Sequence, residues 1–210
     1  MSTIKLALKR ISPKQLFMVS ALLVNGGNYL YNLLLGRLLG PEAFADAALL
    51  VTLLLVLSFV GMTFQLATTK FAVLFTDQTW VAFKNTMYRY TLVFGVFTGI
   101  LVLIFSKHLQ ALFNSQNHYM FMIFAVAIPL YFVMSVNRGR FQGGHDFGKL
   151  AGTYQTEMWS RLLLTFALLI LVPLESGILI AVGISLSFVF GLFPSDFKGV
   201  KVFSKDKLPA

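Results

Sequence analysis

Residues 24–75 read VNGGNYLYNLLLGRLLGPEAFADAALLVTLLLVLSFVGMTFQLATTKFAVLF, which is two apolar runs around one short polar hinge, RLLGPE at 37–42. Gly40 can take the backbone conformation that ends many helices. Pro41 lacks the N–H donor that the first turn of a helix would leave unpaired. Glu42 and Asp46 place negative charge near the positive end of the second helix. The stretch therefore predicts two long apolar helices joined by a tight turn.

Four more apolar runs follow the hinge region, which makes six in all. A helix of about 20 residues crosses the hydrocarbon core of a bilayer, and each run is about that long or longer. The runs are continuous instead of alternating, so helices are favoured over the strands of a membrane barrel. The predicted fold is an all-α membrane protein, a bundle of six transmembrane helices at residues 15–39, 43–75, 80–106, 118–137, 147–173 and 175–193.

The composition agrees with a membrane protein, since 57% of the residues are hydrophobic and only 12% are charged. The net charge of +9 lies in short clusters between apolar runs, which argues against a nucleic-acid partner. Without cysteine, disulfides and thiolate metal sites are excluded. The histidines are dispersed along the chain and no catalytic arrangement stands out, so we expect no enzyme activity, no cofactor and no metal site.

The lysines and arginines define an orientation. The chain has 17 of these residues. Two of them, Arg37 and Lys107, lie at one set of predicted helix ends, Arg161 lies inside a segment, and the other fourteen lie at the opposite set of ends. The positive-inside rule places the other set in the cytoplasm, together with the basic N-terminus 1–14 and the basic tail 194–210 that flank the lobe 15–193. That set has fourteen cations: Lys5, Lys9, Arg10, Lys14, Lys70, Lys84, Arg89, Arg138, Arg140, Lys149, Lys198, Lys201, Lys205 and Lys207.

Polar residues inside membrane helices are the clearest candidates for a functional site. Asn25, Asn28 and Asn32 are spaced three and four apart, so they share one face of the first helix. That face either lines a hydrated cavity or forms hydrogen bonds with neighbouring helices. Glu157 and Arg161 are four residues apart, in the favoured order for an ion pair. They either form a structural pair near the interface or let Arg161 hold an anionic headgroup.

Two glycine-containing stretches are also informative. Gly95 and Gly99 fit the small-xxx-small pattern of close helix contacts, although glycine is common in membrane helices in general. Residues 138–148, RGRFQGGHDFG, are the most polar and glycine-rich part of the interior sequence. We expect them to form a cytoplasmic loop between the fourth and fifth segments.

Two motifs resemble those of a known family. The run NLLLGRLLGPEAF at 32–44 is similar to the first helix and turn of polysaccharide (oligosaccharide-lipid) flippases, which often carry Arg-x-Leu-Gly-Pro-x-x-Phe there. RGRFQG at 138–143 is similar to the family's cytoplasmic Arg-Gly-x-x-Gln-Gly loop. Glu157 and Arg161 fall where many members carry a Glu and an Arg. The resemblance covers roughly residues 15–193, and the flippases that it points to belong to the superfamily that also holds the MATE drug exporters.

The resemblance implies an inner-membrane transporter that flips an undecaprenyl-diphosphate-linked oligosaccharide for polysaccharide biosynthesis. Arg161 would hold the diphosphate, with Lys70 and Arg37 behind it, and the asparagine face would meet the sugar. Members carry twelve to fourteen helices around a central cavity, whereas this chain has six. It would therefore be an N-terminal half whose second lobe is missing, which we favour, or one subunit of a homodimer. The alternatives are a MATE-like small-molecule exporter and an inactive half-length membrane scaffold.

Overall fold

A computed structural model describes residues 12–193 and Phe197. This part of the chain contains seven helices and no strand. The predicted basic segments 1–14 and 194–210 lie mostly outside the described residues. The helices are α1 (Pro13–Leu38), α2 (Pro41–Leu74), α3 (Asp77–Ile104), α4 (Ser106–Phe113), α5 (Tyr119–Gly143), α6 (Phe147–Leu171) and α7 (Ser176–Leu192).

Local sequence explains where α1 and α2 begin. Ser12 caps α1 through a reciprocal pair of hydrogen bonds with Gln15. Pro41 occupies the first turn of α2, and Glu42 supplies the predicted negative charge there. The prediction that Gly40 takes the conformation that ends a helix was wrong. Gly40 is extended (φ −69°, ψ 169°) and caps the start of α2, so the turn needs no left-handed residue.

The predicted loop after the fourth segment is largely helical, which corrects its boundary. Helix α5 runs to Gly143, six residues beyond the expected end at 137. Two glycines permit this, because Gly139 and Gly143 lie directly against the backbone of α2. A Cβ atom at Gly143 would lie 2.7 Å from the Thr69 carbonyl oxygen. The left-handed position in the short turn that follows belongs to His145, with φ 57°, and not to a glycine.

Helix α5 is the centre of the fold. Of its 25 residues, 16 are buried, and α2, α3 and α7 pack around it. Helix α6 packs against α7 on one side and α1 on the other, whereas α1 and α2 contact each other little. The core between these helices is formed by large apolar side chains such as Phe121, Ile128, Phe132, Ile180 and Phe188.

Gly95 and Gly99 lie at the crossing of α3 and α5, as the small-xxx-small pattern predicts. Both are buried. A Cβ atom at Gly95 would lie 2.7 Å from the Cα of Pro129, and one at Gly99 would lie 2.7 Å from the carbonyl oxygen of Ala125. The two helices approach so closely because neither glycine has a side chain in the contact.

Three of the described helices, α2, α3 and α5, are long and apolar enough to cross a membrane. Helix α7 is apolar but has only 17 residues. The most apolar stretches of α2 and α3 are only 28% and 22% buried, and large apolar side chains outside the cavity, such as Leu66, Val73 and Phe97, are exposed on these two helices. An exposed apolar surface of this extent indicates a membrane protein.

Candidate functional site

Helices α1, α2, α5 and α6 line a cavity of about 590 Å³. The wall contributed by α2 is mainly apolar, whereas α1, α5 and α6 contribute amides, hydroxyls and charges. The apolar wall includes Val51, Leu54, Leu55, Phe59 and Met62. The cavity is therefore amphipathic, with a polar side that faces an apolar one.

The three asparagines of α1 all line this cavity, which agrees with their predicted common face. Asn25 and Asn32 are exposed and Asn28 is half-buried. Asn32 donates a hydrogen bond from its side chain to the Asn28 carbonyl oxygen (3.0 Å), and Asn28 accepts one from Arg161. The face thus does both things that the sequence left open, since it lines a cavity and also contacts a neighbouring helix.

Glu157 and Arg161 form the ion pair that their spacing predicts. Arg161 Nη1 lies 3.3 Å from Glu157 Oε1, and Arg161 Nη2 donates to the Asn28 side-chain oxygen across the α1–α6 contact. Arg161 is 6% exposed and its guanidinium lies 5.5 Å from the centre of the Tyr31 ring. Both charged groups line the cavity.

Arg138 is the site residue that the sequence did not identify. It was expected in a cytoplasmic loop, but it lies on α5, is 2% exposed and lines the cavity. Its Nη2 lies 2.6 Å from Glu157 Oε2, which is the shortest ion pair among the described residues. The signal was present in the spacing, since Tyr131, Ser135 and Arg138 follow helical intervals and all line the cavity.

A hydrogen-bonded group at the cavity links α2, α5 and α6. Gln65 donates to the Gln142 side-chain oxygen (2.9 Å) and accepts from the Tyr154 hydroxyl (3.1 Å). Gln65 and Tyr154 line the cavity, and the Arg138 guanidinium lies 3.9 Å from the centre of the Tyr154 ring. This group therefore joins the charged residues to the three surrounding helices.

Lys70 and Arg37, the two other predicted site residues, are not part of the cavity. Both side chains are exposed, and neither lines the cavity. Five of the seven predicted residues are thus brought together, and two are left on the surface.

The charged residues that line the cavity are two arginines and one glutamate, with a net charge of +1. This net positive charge attracts an anion. Guanidinium groups match the oxygens of phosphate and carboxylate. Among residues 12–193, no cluster of three or more histidines and carboxylates could hold a metal ion. The cavity therefore combines two guanidinium groups with an apolar wall, a combination that suits an anion with an apolar part.

Comparison of the chain with protein-family models, with curated proteins and with solved structures found no match. The resemblance to oligosaccharide-lipid flippases stays a prediction from two motifs. The cavity and its charges are therefore the main basis for a proposal about function.

Proposed function

We propose that this protein is a lobe of a membrane transporter that takes an amphiphile with an anionic headgroup. The best candidate is an undecaprenyl-diphosphate-linked oligosaccharide that is moved across the inner membrane for polysaccharide biosynthesis. One observation supports this most: the cavity places a net charge of +1 and several amides opposite an apolar wall. A lipid-linked saccharide has the matching parts, which are phosphate, hydroxyl groups and an apolar chain.

Each part of that ligand has a matching group of residues in the cavity. Arg161 would contact the phosphate, because its guanidinium borders the cavity. Asn25, Asn28 and Asn32 would donate to and accept from sugar hydroxyls, since an amide can do both. The apolar side chains of α2, such as Leu55 and Phe59, would contact the first isoprene units.

We further propose a six-span arrangement, in which α1, α6 and α7 cross the bilayer beside α2, α3 and α5. Helices α1 and α6 have 26 and 25 residues, or about 39 and 38 Å at 1.5 Å each. Their polar residues would be tolerated because many of them line the cavity and do not face lipid. Both termini would be cytoplasmic. Arg138 lies within α5 and is therefore left out of the count of charges at the helix ends. Thirteen cations still lie at the predicted cytoplasmic ends, against Arg37 and Lys107 at the other ends.

The charge of the cavity separates this proposal from the main alternative. A MATE-like exporter of cations would be expected to offer an acidic cavity. Here the one carboxylate that borders the cavity, Glu157, already pairs with two arginines. An organic cation would therefore meet repulsion, whereas an anion would meet attraction.

Native mass spectrometry of the purified chain would test the proposal directly. We expect a co-purifying polyprenyl lipid whose affinity falls by about 10- to 150-fold in Arg161→Met, so that its occupancy drops sharply, because a hydrogen bond to a charged group contributes about 1.5–3 kcal/mol. Lys107→Met is the matched control, because Lys107 is exposed on α4 and lies outside the cavity lining. The same spectra report whether the chain is a monomer or a dimer. Wild-type protein that never carries such a lipid would argue for an inactive scaffold instead.

A further inference from the structure

Two arginines share one carboxylate in the cavity, but they share it unequally. Arg138 Nη2 lies 2.6 Å from Glu157 Oε2, whereas Arg161 Nη1 lies 3.3 Å from Glu157 Oε1. A charge-assisted hydrogen bond is normally about 2.7–2.9 Å long. The Glu157 carboxylate is therefore bound mainly by Arg138, and Arg161 receives the weaker share.

The surroundings of Arg138 hold it in this place. Its Nε donates to Thr153 Oγ1 (3.1 Å), and its Nη2 also donates to the Thr153 carbonyl oxygen (3.2 Å). The guanidinium lies over the Tyr154 ring, whose hydroxyl is bonded to Gln65. Nε and Nη2 of Arg138 are thus held by α6, and only its Nη1 has no acceptor among the described residues.

Arg161 has a different set of partners. A guanidinium has five N–H groups. The described residues accept hydrogen bonds from two nitrogens of Arg161, one through Asn28 and one through Glu157. The remaining donors have no acceptor within residues 12–193, although the side chain is buried and borders the cavity. Arg161 can therefore still donate to a ligand.

We infer that Arg138 is a positioning residue that occupies Glu157 and so leaves Arg161 available to an anionic group such as a phosphate. This inference rests on the proposed function, because it concerns the same cavity. If Arg138 loses its charge, Glu157 has only Arg161 to pair with. The pair then closes, the net charge of the cavity falls to zero, and the anion loses its partner.

The experiment compares three proteins: wild type, Arg138→Met, and the double variant Arg138→Met with Glu157→Gln. Binding of undecaprenyl phosphate in detergent micelles is measured by thermophoresis. We expect Arg138→Met to weaken binding by about tenfold or more. We expect the double variant to recover to within about threefold of wild type, because Arg161 again carries an unopposed charge. Arg161→Met in the double variant should abolish binding.

A second measurement needs no ligand. Phenylglyoxal modifies accessible guanidinium groups, and mass spectrometry locates the modified residue. Arg161 should react in wild type and in the double variant, and several-fold more slowly in Arg138→Met. Each variant is first checked for wild-type helix content and elution volume. Arg138→Gln, which keeps a donor for Thr153 without the charge, replaces Arg138→Met if that variant does not fold.

The outcomes separate the two ideas. If Arg138 is only a structural contact, the double variant will bind as weakly as Arg138→Met, and the inference is overturned. An Arg161 reactivity that is the same in all three proteins overturns it as well, whatever the binding. If no protein binds undecaprenyl phosphate but Arg161 reactivity falls and recovers as expected, the positioning role stands and the proposed ligand is wrong.

Discussion

The contact between α3 and α5 can be tested by a single added methyl group. In Gly99→Ala, the new Cβ would lie 2.7 Å from the Ala125 carbonyl oxygen, and ordinary contacts begin at 3.4 Å. The helices must therefore separate by about 0.7 Å, the difference between those two distances. The obstacle is backbone in the middle of a helix, so no side-chain rotation can relieve it.

Overpacking of this kind costs about 1–3 kcal/mol, which is about a 5- to 150-fold change in the unfolding equilibrium. Gly95→Ala should cost a similar amount, since its Cβ would lie 2.7 Å from the Pro129 Cα. The two substitutions lie at one interface, and one separation relieves both clashes. The double variant should therefore be less destabilised than the two single effects added together.

Gly26→Ala is the matched control, because it adds the same methyl group to a helix at a place with no atom within 4 Å. Alanine is favoured over glycine in a helix by up to about 1 kcal/mol, so this variant should be as stable as wild type or more stable. Unfolding would be followed by circular dichroism as sodium dodecyl sulfate is titrated into mixed micelles. If Gly99→Ala unfolds at the same detergent fraction as Gly26→Ala, the close approach of α3 and α5 is refuted.

Two further predictions concern polar contacts. Tyr88 donates a hydrogen bond to the side-chain oxygen of Asn137, whose own Nδ2 is buried without a partner in the described structure. Tyr88→Phe should therefore destabilise the protein by about 1–3 kcal/mol in the same titration. An unchanged stability would mean that this bond is absent. Asp146 caps α6, and its hydrogen bond and ion pair with Lys149 lower its pKa below 3.8. The pair is exposed, so it contributes only about 0.2–1 kcal/mol to the free energy of unfolding. This contribution is complete above pH 3.8 and is lost as the pH falls through the lowered pKa. The free energy of unfolding should therefore differ less between pH 5 and pH 3 in Asp146→Asn than in wild type.

The sequence predicted the helices well because each apolar run is long and its ends carry recognisable signals. The hinge at 37–42 is one example, where Pro41 begins α2 as expected. The face formed by Asn25, Asn28 and Asn32 is another, because helical spacing depends only on local geometry. The pair Glu157–Arg161 was found for the same reason, since four residues separate its members.

The sequence failed where contacts between distant segments decide the structure. RGRFQGG at 138–144 has the composition of a loop, but Gly139 and Gly143 let α2 approach and so stabilise one more stretch of helix. Arg138 pairs with a residue 19 positions away on another helix, and no local pattern reports such a partner. Conversely, Lys70 and Arg37 have the right charge for the site but lie on the surface.

The limited contact between α1 and α2 has a mechanical consequence. Helix α1 is supported mainly by α6, whereas the opposite walls of the cavity belong to helices that are packed on several sides. If the cavity widens by a tilt of α1, few packed side chains must be separated. If it widens by a movement of α5, many must be separated. The cavity wall is therefore not equally rigid on all sides, and a larger ligand would be accommodated by a displacement of α1 while α5 stays in place.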